Sequence, residues 1–135
     1  MEGMKRYMLD TNTVSQLLKA QPAVARRVVA APMAALCISV ITECELLFGL
    51  AKRPDAKRLH IAVRQFLLRV EVLHCGSPIA ERYGSLRAEM EKKGKVLAPL
   101  DLLIAAHALG VGAVLVTSDK AFKQVSGLKL EDWTD

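Results

Sequence analysis

The sequence predicts an α/β fold in three layers, with a central parallel sheet flanked by helices. Short apolar runs that resemble buried strands alternate with segments whose apolar residues recur at helical spacing. Such alternation is typical of a parallel sheet that is covered on both faces. The 135 residues are 52% hydrophobic and 24% charged, which suits a globular domain and argues against a disordered chain. No repeat or linker divides the sequence, so we predict a single domain over residues 1–135.

The N-terminal part of the chain predicts one strand followed by two short helices. The apolar run at residues 6–9 is the first strand. Thr11 or Thr13 can cap a helix at about residues 14–19, because a threonine hydroxyl accepts a backbone N–H at a helix start. A proline then separates this helix from a second, basic one at residues 23–29.

The middle of the chain continues the alternation. Residues 36–40, LCISV, form a buried strand, and Thr42 is a reasonable N-cap for the next helix, which bears Glu45. Residues 55–68 place apolar side chains at helical spacing, with lysine and arginine on the opposite face. The apolar run at residues 70–73 is a short third strand.

The C-terminal part of the chain predicts two further helices and two strands. Residues 79–94 form an amphipathic helix that ends near a glycine. Residues 100–109 are apolar nearly all round, which predicts a buried helix, and Gly110 is expected to end it. The run at 114–117 predicts the next strand, and residues 128–130 predict a last edge strand.

The charge distribution favours a polyanionic partner. Lys and Arg number 19 against 14 Asp and Glu, a net charge of +5. A basic surface suits a phosphate-bearing polyanion, although a lysine-rich soluble surface explains the same count. The three cysteines are an odd number, and no apolar run reaches the ~20 residues that cross a bilayer. The N-terminus lacks an apolar signal region, so we expect a reduced, cytoplasmic protein without a membrane segment.

Four acidic residues lie where a parallel α/β chain would bring them together. Two of them follow strand-like runs, and two lie near the starts of buried helices; they are Asp10, Asp119, Glu45 and Asp101. Carboxylates that converge in a partly buried cleft repel one another unless a cation compensates them. Oxygen ligands suit Mg²⁺, for which Mn²⁺ can substitute. The pattern therefore predicts a metal-dependent enzyme that handles phosphate oxygens.

Three of these acids also have a simpler explanation, and the fourth has a rival two residues away. Asp10 and Asp119 can cap the turns that follow their strands, and Asp101 can cap the buried helix. Glu43 and Glu45 are two residues apart and point to roughly opposite sides of a helix, so periodicity does not decide which one faces the cleft. The joint occurrence of the four acids at strand ends and helix starts is what favours a functional site.

Five segments together resemble the PIN-domain ribonucleases of the VapC type over essentially the whole chain. These segments are MLDTN at residues 8–12, ISVITECELLFG at 38–49, PLDLLIAAHAL at 99–109, LVTSDKAF at 115–122 and GLKLEDW at 127–133. Carried over by position, the acidic set of that family falls on Asp10, Glu45, Asp101 and Asp119. The resemblance therefore favours Glu45 over Glu43.

The resemblance implies a PIN-like three-layer fold and RNA cleavage that depends on Mg²⁺ or Mn²⁺. It also implies a small VapB-type antitoxin encoded alongside, inhibition of translation, and a toxin homodimer. The GLKLEDW tail resembles the members that cut tRNA, so tRNA is the leading substrate. Asn12, Ser39, Thr117 and Ser118 match polar positions around the acids, where they are expected to orient ligands or waters. A metal-bound water with a lowered pKa is the expected nucleophile.

Two other functions fit parts of the sequence. One is a PIN-like binding module without catalysis, against which the four intact acids argue. The other is a phospho-receiver domain, but only Asp10 ends the first strand, where a receiver carries an acidic pair. His107 is interpreted as a packed or surface histidine, and Trp133 as an anchor for the C-terminal tail. The chain lacks phosphate-loop, nucleophile-elbow and dinucleotide-binding motifs.

Overall fold

Five parallel strands form the centre of the computed structural model, which describes residues 5–134. The predicted domain also includes residues 1–4 and 135, which lie outside the described part of the chain. The strands are β1 (Tyr7–Leu9), β2 (Leu36–Ser39), β3 (Glu71–Leu73), β4 (Val114–Val116) and β5 (Leu130–Glu131). Their order across the sheet is β3-β2-β1-β4-β5, and every neighbouring pair is parallel. The predicted α/β class with a central parallel sheet is confirmed.

Helices cover both faces of this sheet. They are α1 (Thr11–Leu18), α2 (Pro22–Ala30), α3 (Val40–Lys52), α4 (Lys57–Arg69), α5 (Ser77–Lys92) and α6 (Pro99–Val111), with short 3₁₀ turns at Met33–Ala35 and Lys120–Gln124. Met8 packs with α5 and α6, whereas the next residue, Leu9, packs with α1 to α4. Successive strand side chains point to opposite faces, so β1 contributes to both halves of the core. None of the helices described is both long and apolar enough to span a membrane.

Two predicted helix caps are wrong by a few residues. Asp10 caps α1, since its Oδ1 accepts the N–H of Thr13 at 2.8 Å, and Thr11 is already helical. Ser39 caps α3, since its Oγ accepts the N–H of Ile41 at 3.1 Å, and Thr42 lies buried inside the helix. The reason is the same in both places, because each helix follows its strand without an intervening loop. The last strand-end residue with a side-chain oxygen therefore becomes the cap.

The end of α6 also differs from the prediction. The helix runs through Gly110 to Val111, and Gly112 ends it in the left-handed conformation at φ +70°. Gly110 instead allows α6 to pack closely against α5, because a Cβ at this position would overlap the Cδ1 of Ile79. Asp101 does not cap this helix, since the N-cap is Ala98 and Asp101 lies in the first turn. The capping explanation of Asp101 is therefore wrong.

The C-terminal tail is anchored by Trp133, as predicted. The indole is 3% exposed and lies with its ring centroid 5.3 Å from that of Tyr7. Its Nε1–H donates to Glu131 Oε1 at 2.9 Å, and Arg27 donates to the same oxygen at 3.0 Å. The Arg27 guanidinium also lies 5.3 Å from the indole centroid. These contacts join the tail to β1 and α2.

The parallel arrangement decides where the polar residues meet. All five strands point the same way, so the segments after β1, β2 and β4 emerge at one edge of the sheet. Asp10 and Asp119 follow β1 and β4, and α3 with Glu45 starts directly after β2. The strand order 3-2-1-4-5 also differs from the 2-1-3-4-5 order of flavodoxin-like receivers, which removes the receiver interpretation.

Two glycine substitutions should change stability in opposite directions. Gly112→Ala should lower the free energy of unfolding by about 1–2 kcal/mol, because the Cβ of an L-residue makes the left-handed conformation unfavourable. Gly84→Ala should raise it by about 0.5–1 kcal/mol, since Gly84 lies inside α5 and an added Cβ meets no atom within 4 Å. Urea unfolding of both variants measures the difference. Equal effects of the same sign would contradict the assigned end of α6.

Candidate active site

Asp10 is the most buried of the four predicted acids. It is 4% exposed, and its N–H donates to the carbonyl of Val116 on β4 at 3.1 Å. Burial raises the pKa of Asp10 above its usual value, hydrogen bonds from Thr117 and Thr13 oppose the rise, and the charge of Asp119 adds to it. The carboxylate is therefore held in one place by its capping bond and is poorly compensated in charge.

Glu45 faces the same region from α3. Its Oε1 accepts a hydrogen bond from the Thr11 hydroxyl at 2.6 Å, and Thr11 is the residue directly after Asp10. The hydroxyl of Thr42, one turn before Glu45, lies 3.4 Å from that of Thr11. These contacts direct Glu45 towards Asp10. Glu43, two residues earlier in α3, makes neither contact in the described structure.

Asp101 lies in the first turn of α6 and is half-buried. Burial raises its pKa, and the charges of Glu45, Asp119 and Asp10 raise it further. Three carboxylates from three other segments therefore act on this one group. The structure brings all four predicted acids into a single electrostatic cluster.

Asp119 completes the cluster from the loop after β4. Its Oδ1 accepts the N–H of Ala121 at 2.9 Å, so it caps the Lys120–Gln124 turn as the simpler explanation proposed. Its own N–H donates to the Thr117 hydroxyl at 3.0 Å. Capping and membership of the cluster are compatible, because the cap occupies one of the two carboxylate oxygens.

The polar residues predicted around the acids divide into two groups. Thr117 is buried and contacts both Asp10 and the backbone of Asp119. Asn12 is exposed in the first turn of α1, and Ser118 is half-buried beside Asp119. Ser39 is fully buried and faces the cap of α3 and His107 rather than the acids. Thr117 is therefore the one of the four that the described contacts join directly to the acidic cluster.

Sequence reasoning missed Thr11 and His107. Thr11 was considered only as a cap, although its position next to Asp10 and the helical face of Glu45 could have indicated the contact. His107 is completely buried, with its Nδ1 2.7 Å from Ser39 Oγ. No sequence pattern identifies the contact between His107 and Ser39, because it depends on how α6 packs against the end of β2.

The cluster offers the ligand chemistry of a hard divalent cation. Its donors are carboxylate oxygens, and no Lys, Arg or His of residues 5–134 forms an ion pair with any of the four. Within the same residues, no three His, Cys, Asp or Glu side chains are close enough together to coordinate one ion. The donor set therefore fits Mg²⁺ or Mn²⁺ in its chemistry, and joint coordination of one ion requires the carboxylates to come closer together.

Comparison with known proteins identifies the family. The PIN domain model matches residues 7–128. A tRNA(fMet)-specific endonuclease VapC of Salmonella typhimurium is 37% identical over 131 residues, covering 96% of this chain and 99% of the relative. That of Shigella flexneri is 34% identical over 132 residues, covering 97% of this chain and all of the relative. This chain belongs to the PIN-domain family, as an endoribonuclease of the VapC type. The suspected resemblance is confirmed.

Solved structures of VapC relatives share the fold over nearly the whole chain. DNA-bound VapBC of Salmonella typhimurium gives a TM-score of 0.89 at 36% identity, with 96% of this PIN-domain chain and 99% of the other covered. VapBC2 of Rickettsia felis, bound to a DNA fragment from its promoter, gives 0.86 at 33% identity, with 94% and 98% covered. The described fold is therefore the PIN fold, with the acidic cluster at the carboxyl edge of its sheet.

Removing the Asp101 charge should not destabilise the metal-free protein. The pKa of Asp101 is raised in the fold, so ionised Asp101 lowers stability once the pH exceeds the usual value of 3.8. In EDTA at pH 7, Asp101→Asn should have an equal or higher free energy of unfolding than the wild type. The difference should disappear as the pH falls below 3.8, where the carboxyl is protonated in both states. Urea unfolding across this pH range measures it.

Asp132→Asn is the matched control. The pKa of Asp132 is lowered, first by its hydrogen bonds with Thr134, so its charge contributes stability above its usual pKa. This substitution should not stabilise the protein at pH 7. A metal-free Asp101→Asn variant that is clearly less stable than the wild type at pH 7 would contradict the repulsive cluster.

Proposed function

We propose that this VapC-type ribonuclease is a cytoplasmic, Mg²⁺-dependent toxin that cleaves tRNA and inhibits translation until a VapB-type antitoxin neutralises it. The observation that carries the metal dependence is the gathering of Asp10, Glu45, Asp101 and Asp119 without a paired cation. We also expect Mn²⁺ to substitute, and a homodimer to form, as the resemblance implies.

The four carboxylates would hold the ion, with Asp10 as the rigid member. Asp10 is fixed by the bond from Thr13 and by its own N–H to β4. Thr11 orients Glu45 through a single strong hydrogen bond, which leaves the second oxygen of Glu45 free. The bound ion would lower the pKa of a water, supplying hydroxide at neutral pH, and would neutralise charge on the phosphate. The residues themselves would position the ion in the cleft.

Basic side chains line two cavities that each include one of the four acids. Lys120 and Lys123 line a small cavity of about 180 Å³ that also contains Asp119. Lys52 and Arg53 line another cavity, of about 230 Å³, whose lining also includes Glu45. An RNA strand crossing the cleft would therefore meet cations close to the acids. Cations placed in this way hold flanking phosphates without reading sequence.

The substrate proposal rests on the relatives and the tail. Two relatives at 34% and 37% identity are named as tRNA(fMet)-specific endonucleases. The tail over residues 127–133, GLKLEDW, is ordered by Trp133 and Glu131 and ends beside the Asp119 cavity. Its position next to the acidic cluster is compatible with a contribution to tRNA recognition.

An antitoxin has a suitable docking surface on the α1–α4 side. One apolar cavity of about 300 Å³ lies between α1, α2 and α4 and is lined by Leu17, Val28 and Phe66. The cavity of about 230 Å³ lies between α1, α3 and α4 and includes Glu45 in its lining. A partner segment with apolar residues for the two cavities and an Arg or Lys for the carboxylates would fit both. Its guanidinium would replace the metal's charge among the acids.

Substitution of the acids should abolish RNA cleavage. Asp10→Asn, Glu45→Gln and Asp101→Asn should each lower the cleavage rate by more than about 100-fold, beyond the ~10–100-fold typical of residues that only support metal ligands. Asn at position 10 can still accept the Thr13 N–H, so the fold should persist. Cleavage of total tRNA, followed on denaturing gels with circular dichroism of each variant, measures both.

The controls for this prediction are Glu43→Gln and chelation. Glu43→Gln should leave cleavage nearly unchanged, because the described contacts direct Glu45 into the cleft. EDTA should abolish wild-type cleavage, and added Mg²⁺ or Mn²⁺ should restore it. Cleavage that resists EDTA, or an active Asp101→Asn variant, would overturn the metal-dependent mechanism.

Filling the cavity beside Glu45 should weaken antitoxin binding. Gly49 lines this cavity, and an added Cβ there meets no atom within 4 Å, so Gly49→Leu should fold normally. Its affinity for the protein encoded by the adjacent gene should fall at least about tenfold, or ~1.4 kcal/mol. Titration calorimetry in EDTA measures this without catalysis. Gly84→Leu on α5 is the control, and equal affinity of the two variants would contradict this docking surface.

A further inference from the structure

His107 is a buried polar residue that the proposed chemistry does not use. It lies on α6 and is 0% exposed, as is Ser39 at the end of β2. The Nδ1 of His107 is 2.7 Å from Ser39 Oγ and 3.3 Å from the Sγ of Cys75, which is a free cysteine. Burial lowers the pKa of His107, and a backbone interaction at His74 opposes this lowering. This direction favours the neutral imidazole, in which one ring nitrogen can accept a hydrogen bond.

The Ser39 hydroxyl connects this histidine to a helix start. Its oxygen accepts the N–H of Ile41 at 3.1 Å and thereby caps α3. Its proton remains available to donate to His107 Nδ1. One hydroxyl thus makes a bond along α3 and a bond to α6. Its direction is restricted by both, because each bond needs the oxygen in a defined orientation.

The two helices joined in this way carry two of the four acids. Glu45 lies on α3, six residues after Ser39, and Asp101 lies on α6, six residues before His107. Both carboxylates belong to the acidic cluster, where like charges repel each other. A contact between α3 and α6 must hold their spacing against that repulsion when no cation is bound.

Packing alone does not explain a histidine at this position. The Nε2 of His107 is buried and has no hydrogen-bond partner of good geometry among residues 5–134. A buried polar atom without a well-formed hydrogen bond lowers the stability of the fold, whereas leucine would fill similar space without that cost. The bond to Ser39 is what an apolar residue cannot supply.

We propose that His107 is a positioning residue that, through Ser39, holds α3 in register with α6 and so sets the spacing of Glu45 and Asp101 for the metal. This inference rests on the proposed function. It predicts that loss of the bond weakens metal binding and turnover more than it weakens RNA binding. It also predicts that a hydrogen-bond acceptor in the place of Nδ1 restores both metal binding and turnover.

The test compares His107→Leu, which removes the bond, with His107→Asn, whose Oδ1 can replace Nδ1. His107→Leu should lower kcat about tenfold, in the range of residues that support metal ligands, with KM for tRNA unchanged. Its affinity for Mn²⁺, measured by electron paramagnetic resonance without RNA, should fall by a similar factor. Hydrogen exchange at residues 40–44 should speed up in the metal-free protein. His107→Asn should recover most of each loss.

Ser39→Ala should lower kcat and Mn²⁺ affinity at least as much as His107→Leu, because it also removes the cap of α3, and the double variant should be no worse than Ser39→Ala alone. Ser39→Ala keeps the test decisive if a substitution at His107 does not fold. Val24→Ala, in the core cluster on the other side of the sheet, is the control; it should lower the melting temperature without changing kcat or Mn²⁺ affinity. A His107→Leu protein with wild-type kcat and Mn²⁺ affinity overturns the inference. Wild-type protein that cleaves no RNA with metal overturns the proposed function instead.

Discussion

Mutual repulsion among carboxylates at one edge of a parallel sheet is the constraint around which this structure is organised. Burial and neighbouring charges raise the pKa values of Asp10 and Asp101. The fold therefore holds these two carboxyl groups in an environment that disfavours their ionised forms. The apolar core on both faces of the sheet supplies the stability that permits this arrangement. An uncompensated cluster of this kind attracts any suitable cation, whether a metal ion or the basic side chain of a partner.

Neutral hydroxyl groups, rather than cations, form hydrogen bonds with carboxylates of the cluster. Thr117 donates to the carboxylate of Asp10, and Thr11 donates to that of Glu45, so each of these two acids has a donor that carries no charge. A lysine or arginine in those places would neutralise the cluster and compete with a metal. Hydroxyl groups instead fix the directions of the carboxylates and leave their charge available. Threonine at positions 11 and 117 is therefore consistent with a site whose function depends on its negative charge.

The fold was predictable from the sequence because its strands are short apolar runs between helical patterns. Helix starts were less predictable, since the caps at Asp10 and Ser39 depend on the absence of a loop after each strand. The positions of Asp10 and Asp119 followed from the parallel sheet itself. The choice of Glu45 over Glu43 needed family resemblance, and then the contact with Thr11. The place of His107 could not be predicted, because only packing of α6 against β2 brings it to Ser39.

The strand order has a consequence for biosynthesis. The central strand β1 is made first, but its partner β4 comes from near the other end of the chain, with Tyr7 paired with Val114. Asp119 is synthesised later still, and the tail that covers β1 includes Trp133. Sheets that join distant parts of a sequence form late and slowly. An unfinished chain on the ribosome therefore lacks both the completed sheet and the full acidic set. Such a chain cannot act as a nuclease while it is still attached to the ribosome.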